Sequence, residues 1–139
     1  MHFAVTDGGK VPRPWPQVAV AEKGGKAVVA NGGCELEFDS AKPLPFGAMR
    51  AGTAKGTLGA LKWPQGAEAA AVNDAWVERG AARAILKRTF RFKDPSQRYE
   101  IVFAIRAGDP WIDITDTYAH PAGNRWRILK ETWSDLWEP

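Results

Sequence analysis

The chain is predicted to be an all-β antiparallel sandwich, and three observations carry that prediction. Residues 82–93 alternate, with Ala82, Ala84, Leu86, Phe90 and Phe92 on one side and Arg83, Lys87, Thr89, Arg91 and Lys93 on the other. Period-two alternation marks a strand with one face on a core and one face in water. The same pattern returns at 98–106, where Tyr99, Ile101, Phe103 and Ile105 share a face, and less cleanly at 111–118. The connectors Asp94-Pro95-Ser96-Gln97 and Ala107-Gly108-Asp109-Pro110 are turn sequences, in which Asp starts the turn and Pro fixes φ. A central three-stranded meander is expected, with little helix.

Closing the first turn over four residues sets Phe92 opposite Tyr99, Phe90 opposite Ile101, Leu86 opposite Ile105 and Arg91 opposite Glu100. Closing the second sets Ile105 opposite Ile112, Phe103 opposite Ile114, Tyr99 opposite Tyr118 and Arg106 opposite Trp111. A slip of one residue would turn every side chain to the wrong face. Two charges interrupt the apolar face: Arg88, expected opposite Phe103, and Asp116, expected opposite Ile101. An unpaired buried charge is costly, so the two are expected to form an ion pair at the core edge. The alternative is a partly open face on which the pair holds a polar ligand.

Taken in order, the chain opens with an extended Pro-rich arm, Val11-Pro-Arg-Pro-Trp-Pro16, because Pro and the residue before it resist helix. Val18 and Val20 begin a strand, Lys23-Gly24-Gly25-Lys26 is a hairpin turn, and residues 27–30 return. Asn31-Gly32-Gly33 turns again into residues 34–39, with Cys34, Leu36 and Phe38 inward. Residues 40–47 read as a loop, the Gly- and Ala-rich run to Lys62 has no sustained period, and 59–63 reads as a short strand. Ala content and Glu68 favour a helical turn at 66–74. A strand follows from Asp74 to Glu78, and Arg79-Gly80 forms a bulge or turn. After a loop at 120–125 comes a strand at 126–130, and the tail carries Trp133, Leu136 and Trp137 at helical spacing.

A length of 139 residues fits one domain spanning 1–139, either a whole protein or a piece of a longer one. No apolar run approaches the ~20 residues of a membrane span, and the N-terminus does not read as a signal peptide. A net charge of +3 is mildly basic. Arg83, Lys87, Arg91 and Lys93 line one strand face, but Glu100 and Asp113 lie on neighbouring strands. A solvated face is expected, with neither nucleic acid nor membrane as partner. The single Cys34 excludes an internal disulfide framework and is expected to be a small buried hydrophobe.

His2 and His120 are the only histidines, and neither has an acidic residue at ligand spacing, so no metal and no cofactor is expected. No phosphate loop, nucleophile elbow or dinucleotide fingerprint occurs. Asp113 and Asp116 differ in parity and cannot form a glycosidase-like carboxylate pair. Tyr118 and His120 share parity, which makes them the weak candidates for acid–base catalysis. Seven Trp are the one unusual count. Trp serves either a large core or a flat stacking surface, such as one for sugar rings.

One resemblance rests on two stretches. Residues 28–39, with Asn31-Gly32-Gly33 before Cys34-Glu35-Leu36-Glu37-Phe38-Asp39, resemble the opening hairpin of galactose mutarotase-like β-supersandwich domains. Residues 77–84 with 99–118, including Ala107-Gly108-Asp109-Pro110-Trp111, are similar to a run in such domains of polysaccharide lyases and glycoside hydrolases. Together these cover about half the chain. Such domains are usually nearly twice as long, and the His/Glu catalytic set of mutarotases has no counterpart here. The resemblance therefore implies an architecture and a carbohydrate context, and no catalytic residue. The expected function is a glycan-binding or glycan-positioning module, not catalytic by itself. Its stacking candidates are Trp111 beside Arg106, then Trp63 and Trp76, with Arg88 and Asp116 as polar contacts. The alternatives are an assembly module using Trp-rich ends to bind itself or further domains, and a small lyase- or epimerase-type enzyme.

Overall fold

The computed structural model describes the backbone of residues 15–62, 69–119, 125–130 and 133–137, and the side chains of 15–56 and 69–117. Among the described residues, eleven strands form two antiparallel sheets and no helix occurs. One sheet runs in the order β1 (Ala19–Lys23), β2 (Lys26–Ala30), β3 (Cys34–Asp39), β4 (Ala48–Ala51), β5 (Ala54–Lys62), β10 (Arg125–Lys130) and β11 (Trp133–Trp137). The other is β6 (Ala69–Arg79), β7 (Arg83–Phe92), β8 (Arg98–Arg106) and β9 (Asp113–Ala119). The expected meander is β7-β8-β9, with β6 completing its sheet.

The two sheets meet through the alternation read above. Val29, Leu36 and Phe38 of the first sheet and Ala84, Leu86, Phe90, Tyr99, Ile101, Phe103 and Ile105 of the second form one buried core. Phe103 anchors the contact, edge-on to Phe38 at 4.9 Å between centroids and to Phe46 at 6.5 Å. Each large apolar side chain removed from water here is worth about 1.5–3 kcal/mol.

The β1–β2 turn forms as expected, with Lys23 paired to Lys26 and positive φ at both Gly24 (58°) and Gly25 (78°). Both central residues of a type I′ turn need positive φ. A Cβ on Gly24 would meet nothing within 4 Å, whereas a Cβ on Gly25 would lie 2.9 Å from Ser40 Oγ. Gly24→Asn should therefore be neutral or slightly stabilising, and Gly25→Ala should cost about 1–2 kcal/mol. Urea unfolding of the two variants checks the asymmetry.

Several expectations need correction. The β7–β8 ladder is shifted by two residues, with Phe90 opposite Tyr99, Arg88 opposite Ile101, Leu86 opposite Phe103, Ala84 opposite Ile105 and Thr89 opposite Glu100. A two-residue slip leaves every side chain on its own face, so hydrophobic alternation cannot detect it. The turn decides instead. The Asp94 carboxylate accepts from Ser96 N and Ser96 Oγ, and Gln97 N donates to Asp94 O, so the loop closes locally before the ladder starts. The β8–β9 register is as expected for Tyr99–Tyr118, Ile101–Asp116 and Phe103–Ile114. That ladder ends at Ala104–Asp113, and Arg106 reaches Asp113 rather than pairing with Trp111.

The run from 48 to 62 is a hairpin, β4–β5, and Ala69 already belongs to β6, where a helical turn was expected. Small residues give no periodic signal, and the ladder hydrogen bonds to neighbouring strands outweigh a weak helix propensity. Residues 133–137 are likewise strand, because β11 pairs with β10 through Ile128–Trp137 and Lys130–Trp133. Cys34 is only half-buried, and its thiol donates to Pro110 O at 3.1 Å.

Asn31 ties the two sheets at one end of β2. It is wholly buried. Its Nδ2 donates to Arg106 O and Asp109 O, each at 2.9 Å, and its Oδ1 accepts from Gly33 N at 3.0 Å and Cys34 N at 2.7 Å. Its main-chain oxygen accepts from Gly108 N. All four side-chain bonding directions are thereby used between the β2–β3 and β8–β9 turns.

Candidate functional site

At the other end of β2 a cleft of about 360 Å³ opens between the sheets, walled by the β1–β2 hairpin, Ser40 and the facing parts of β6 and β7. Strand alternation places its side chains. Val18, just before β1, and Val20 on it point to the core, and Glu22 is the next residue in that phase, where the core ends. On β6, Asp74 stands directly across from Arg88 and Trp76 across from Leu86. Glu22, Asp74 and Trp76 thus converge from facing sheets on one cleft floored by Leu86.

The Trp76 ring is held in place. Its Nε1 donates to Glu22 Oε1 at 2.7 Å, while Arg79 Nη1 donates to Glu22 Oε2 at 2.7 Å and its guanidinium lies 5.6 Å from the indole centroid. A positioned indole can stack on a ligand without first losing rotamer freedom. The Trp76 hydrogen bond, and after it the one from Arg79, holds the Glu22 carboxyl below the usual carboxylate range.

Beneath the cleft, Arg88 has no exposed surface. It grips Asp74 through two bonds of 2.7 Å, Nε to Oδ1 and Nη2 to Oδ2. Nη1 donates to Leu44 O at 2.5 Å and to Pro45 O at 3.4 Å, and the guanidinium lies 5.4 Å from the Phe38 centroid. This bidentate geometry fixes the Asp74 carboxylate in position and angle. The Asp74 side chain keeps 23% of its surface exposed, so it presents oxygen lone pairs to the cleft from a rigid base.

The expected site residues separate into three groups. Trp76 and Arg88 belong to this cleft, Trp76 as a wall and Arg88 as the support of Asp74. Arg88 and Asp116 do not form the expected ion pair. Both face Ile101 from either side of β8, but Asp74 on β6 takes the guanidinium, and the exposed Asp116 accepts from Tyr99 Oη at 3.4 Å. Trp111 and Arg106 lie at the Asn31 end, with Trp111 61% exposed and Arg106 bonded to Asp113 at 2.5 Å. Trp63 and His120 lie outside the described residues, as does the Tyr118 side chain.

Glu22 and Asp74 were not read from the sequence as site residues. A signal for Asp74 exists: extended as strand, residues 69–79 put it in phase with Val72 and Trp76. The basic strand face is balanced by acids. Lys87 meets Glu100 at 2.7 Å, Arg98 meets the same carboxylate at 3.5 Å, and Arg83 bonds Glu78. The three-residue clusters of His, Cys, Asp and Glu that hold metals do not occur among the described residues. Nor does a helix long and apolar enough to cross a membrane.

Compared with known proteins, the chain matches no family model, no curated protein and no solved structure.

Proposed function

We propose that this chain is a carbohydrate-associated β-sandwich module that binds or positions a glycan in the cleft between β1–β2 and β6–β7, and is not catalytic by itself. The observation that carries the reading is the fixed Trp76 indole beside two anchored carboxylates in a cleft of about 360 Å³. An aromatic face meets the apolar side of a sugar ring, and carboxylate oxygens accept from its hydroxyls. On the same reading the chain is a galactose mutarotase-like domain, whose Asn31-Gly32-Gly33 turn has a structural rather than a catalytic task.

Titration of intrinsic Trp fluorescence against neutral and acidic oligosaccharides tests this. A saturable change that is lost in Trp76→Ala and kept in Trp111→Ala is the expected result. A change lost only in Trp111→Ala moves the site to the opposite end, and no change with any glycan rejects the reading.

A second reading is favoured by one observation. Trp15 is 78% and Trp111 61% exposed, and both adjoin the β8–β9 turn, where a Cβ on Gly108 would lie 3.0 Å from Pro16 Cγ. Two exposed indoles beside one turn suit an assembly surface. A molar mass that rises with concentration, and falls back in Trp15→Ser with Trp111→Ser, would favour it.

A further inference from the structure

Beyond the glycan cleft, and resting on the assembly reading, we propose that two copies of this chain pair antiparallel through the free edge of β9, about a two-fold axis at Ile114. Among the described residues, β6 and β9 are the outer strands of their sheet. β6 is interrupted by register shifts at 69–71 and 76–78, and bulges of this kind keep an edge from pairing with another chain. β9 runs in one unbroken register with β8. Its sequence, Asp113-Ile-Thr-Asp-Thr-Tyr-Ala119, holds no Lys and no Pro, the residues that most often guard an edge. It is rich in β-branched residues, which favour strand pairing.

β9 also overhangs the core. Ile101 and Phe103 have no exposed surface, yet Asp116 and Ile114 across from them are exposed, as is every residue from Asp113 to Thr117. Ile114 keeps 44% of its surface in water. Trp111, 61% exposed, extends that apolar margin toward the β8–β9 turn.

The charges define the kind of strand that fits. Asp113 accepts from Arg106, and Asp116 accepts from Tyr99 Oη. Both acids have donors within the chain, so the edge calls for no basic partner. A strand bearing Ile and Thr fits it, and a second β9 is such a strand. The acids also restrict the register. For the sheet to continue with each side chain on its own face, two antiparallel β9 strands must be centred on a residue. Centring on Asp113 or Asp116 sets like charges directly opposite, which destabilises. Centring on Thr115 sets Ile114 against Asp116, and centring on Thr117 leaves Ile114 outside the paired stretch. Centring on Ile114 covers it with its own copy and sets Asp113 against Thr115 and Trp111 against Thr117. Asp116 then stands opposite Ile112, which is already packed on the core. The two-fold contact uses both edges and closes.

A single strand pair covers less than the ~1,600 Å² of a standard interface, so a weak dimer is expected, and sedimentation equilibrium up to about 1 mM tests it. The wild-type mass should rise from one chain to two and stop there. Ile114→Lys and Ile114→Asp, each opposing like charges at the axis, should stay at one chain. Their equimolar mixture should return to two, which also shows that both variants are folded. In a Cys34→Ser background, where Ser keeps a donor for Pro110 O, a short bismaleimide should join copies of Ile114→Cys. It should not join Thr117→Cys, whose copies are offset by six residues, about 20 Å. Variants that assemble like wild type, a mixture that stays at one chain, a mass that climbs past two, or equal cross-linking at both positions would each overturn the inference. Such results leave the assembly reading to Trp15 and Trp111. A wild-type chain that stays single throughout removes the inference and the assembly reading together, and leaves the glycan reading untouched.

Discussion

Asp74→Ala should lower the unfolding free energy by about 3–5 kcal/mol, the cost of leaving a buried charge without its partner. Arg88 has no exposed surface and carries its positive charge beneath the cleft, against the core, so the loss of Asp74 strands it there. The remaining bonds to Leu44 O and Pro45 O solvate the guanidinium without neutralising it. Arg88→Met alone should cost less than Asp74→Ala, because it removes the charge and leaves an apolar stem among Phe38 and Leu86. Asp74 would then stand at the cleft edge, where water reaches it. The double variant should be more stable than Asp74→Ala by itself. Urea midpoints for the three variants close a double-mutant cycle. If Asp74→Ala unfolds at the wild-type midpoint, the pair is not what holds the 44–45 loop against the second sheet.

Asn31→Asp should destabilise by about 2–4 kcal/mol, from one or two buried groups left unsatisfied at about 1–3 kcal/mol each. The substitution is isosteric, so packing is not the cause. Asn31 Nδ2 donates to two carbonyl oxygens, those of Arg106 and Asp109, and a carboxylate there would face them with a negative charge. The bonds from Gly33 N and Cys34 N to the other oxygen would survive. Asn31→Ala loses both sets and should do at least as much damage. A pH series separates the two variants. Protonating the Asp at low pH restores one donor, so the gap between Asn31→Asp and wild type should narrow in acid, whereas that of Asn31→Ala should not. Equal loss at every pH would mean that shape rather than hydrogen bonding sets the cost. Neither variant touches the cleft, so any glycan bound there should keep its affinity while the protein stays folded.

The alternation of 82–93 and 98–106 made the second sheet legible, and the β8–β9 register followed from turn length and apolar pairing. The Gly24-Gly25 turn was legible for the same kind of reason, since a Gly-Gly pair readily takes the positive φ that both central positions need. The candidate cleft was legible only in part. Trp76 and Arg88 stood out as an unusual aromatic and a charge on an apolar face. Glu22 looked like any solvated charge, and Asp74 fell at the end of an Ala-rich stretch whose side chains are too small to show a period.

What local chemistry determined is the strand content, the face each residue occupies and the turns that Gly, Pro and Asp demand, because these depend on neighbours a few positions away. The tertiary structure decided which strand lies beside which. Parity cannot tell a register from one shifted by two, nor choose between Asp74 and Asp116 as the partner of Arg88. That choice was made by the β6–β7 ladder, which sets Asp74 straight across from Arg88. The convergence of Glu22 with Trp76, 54 positions apart in the chain, likewise exists only because the two sheets stack on a shared core that ends where the cleft begins.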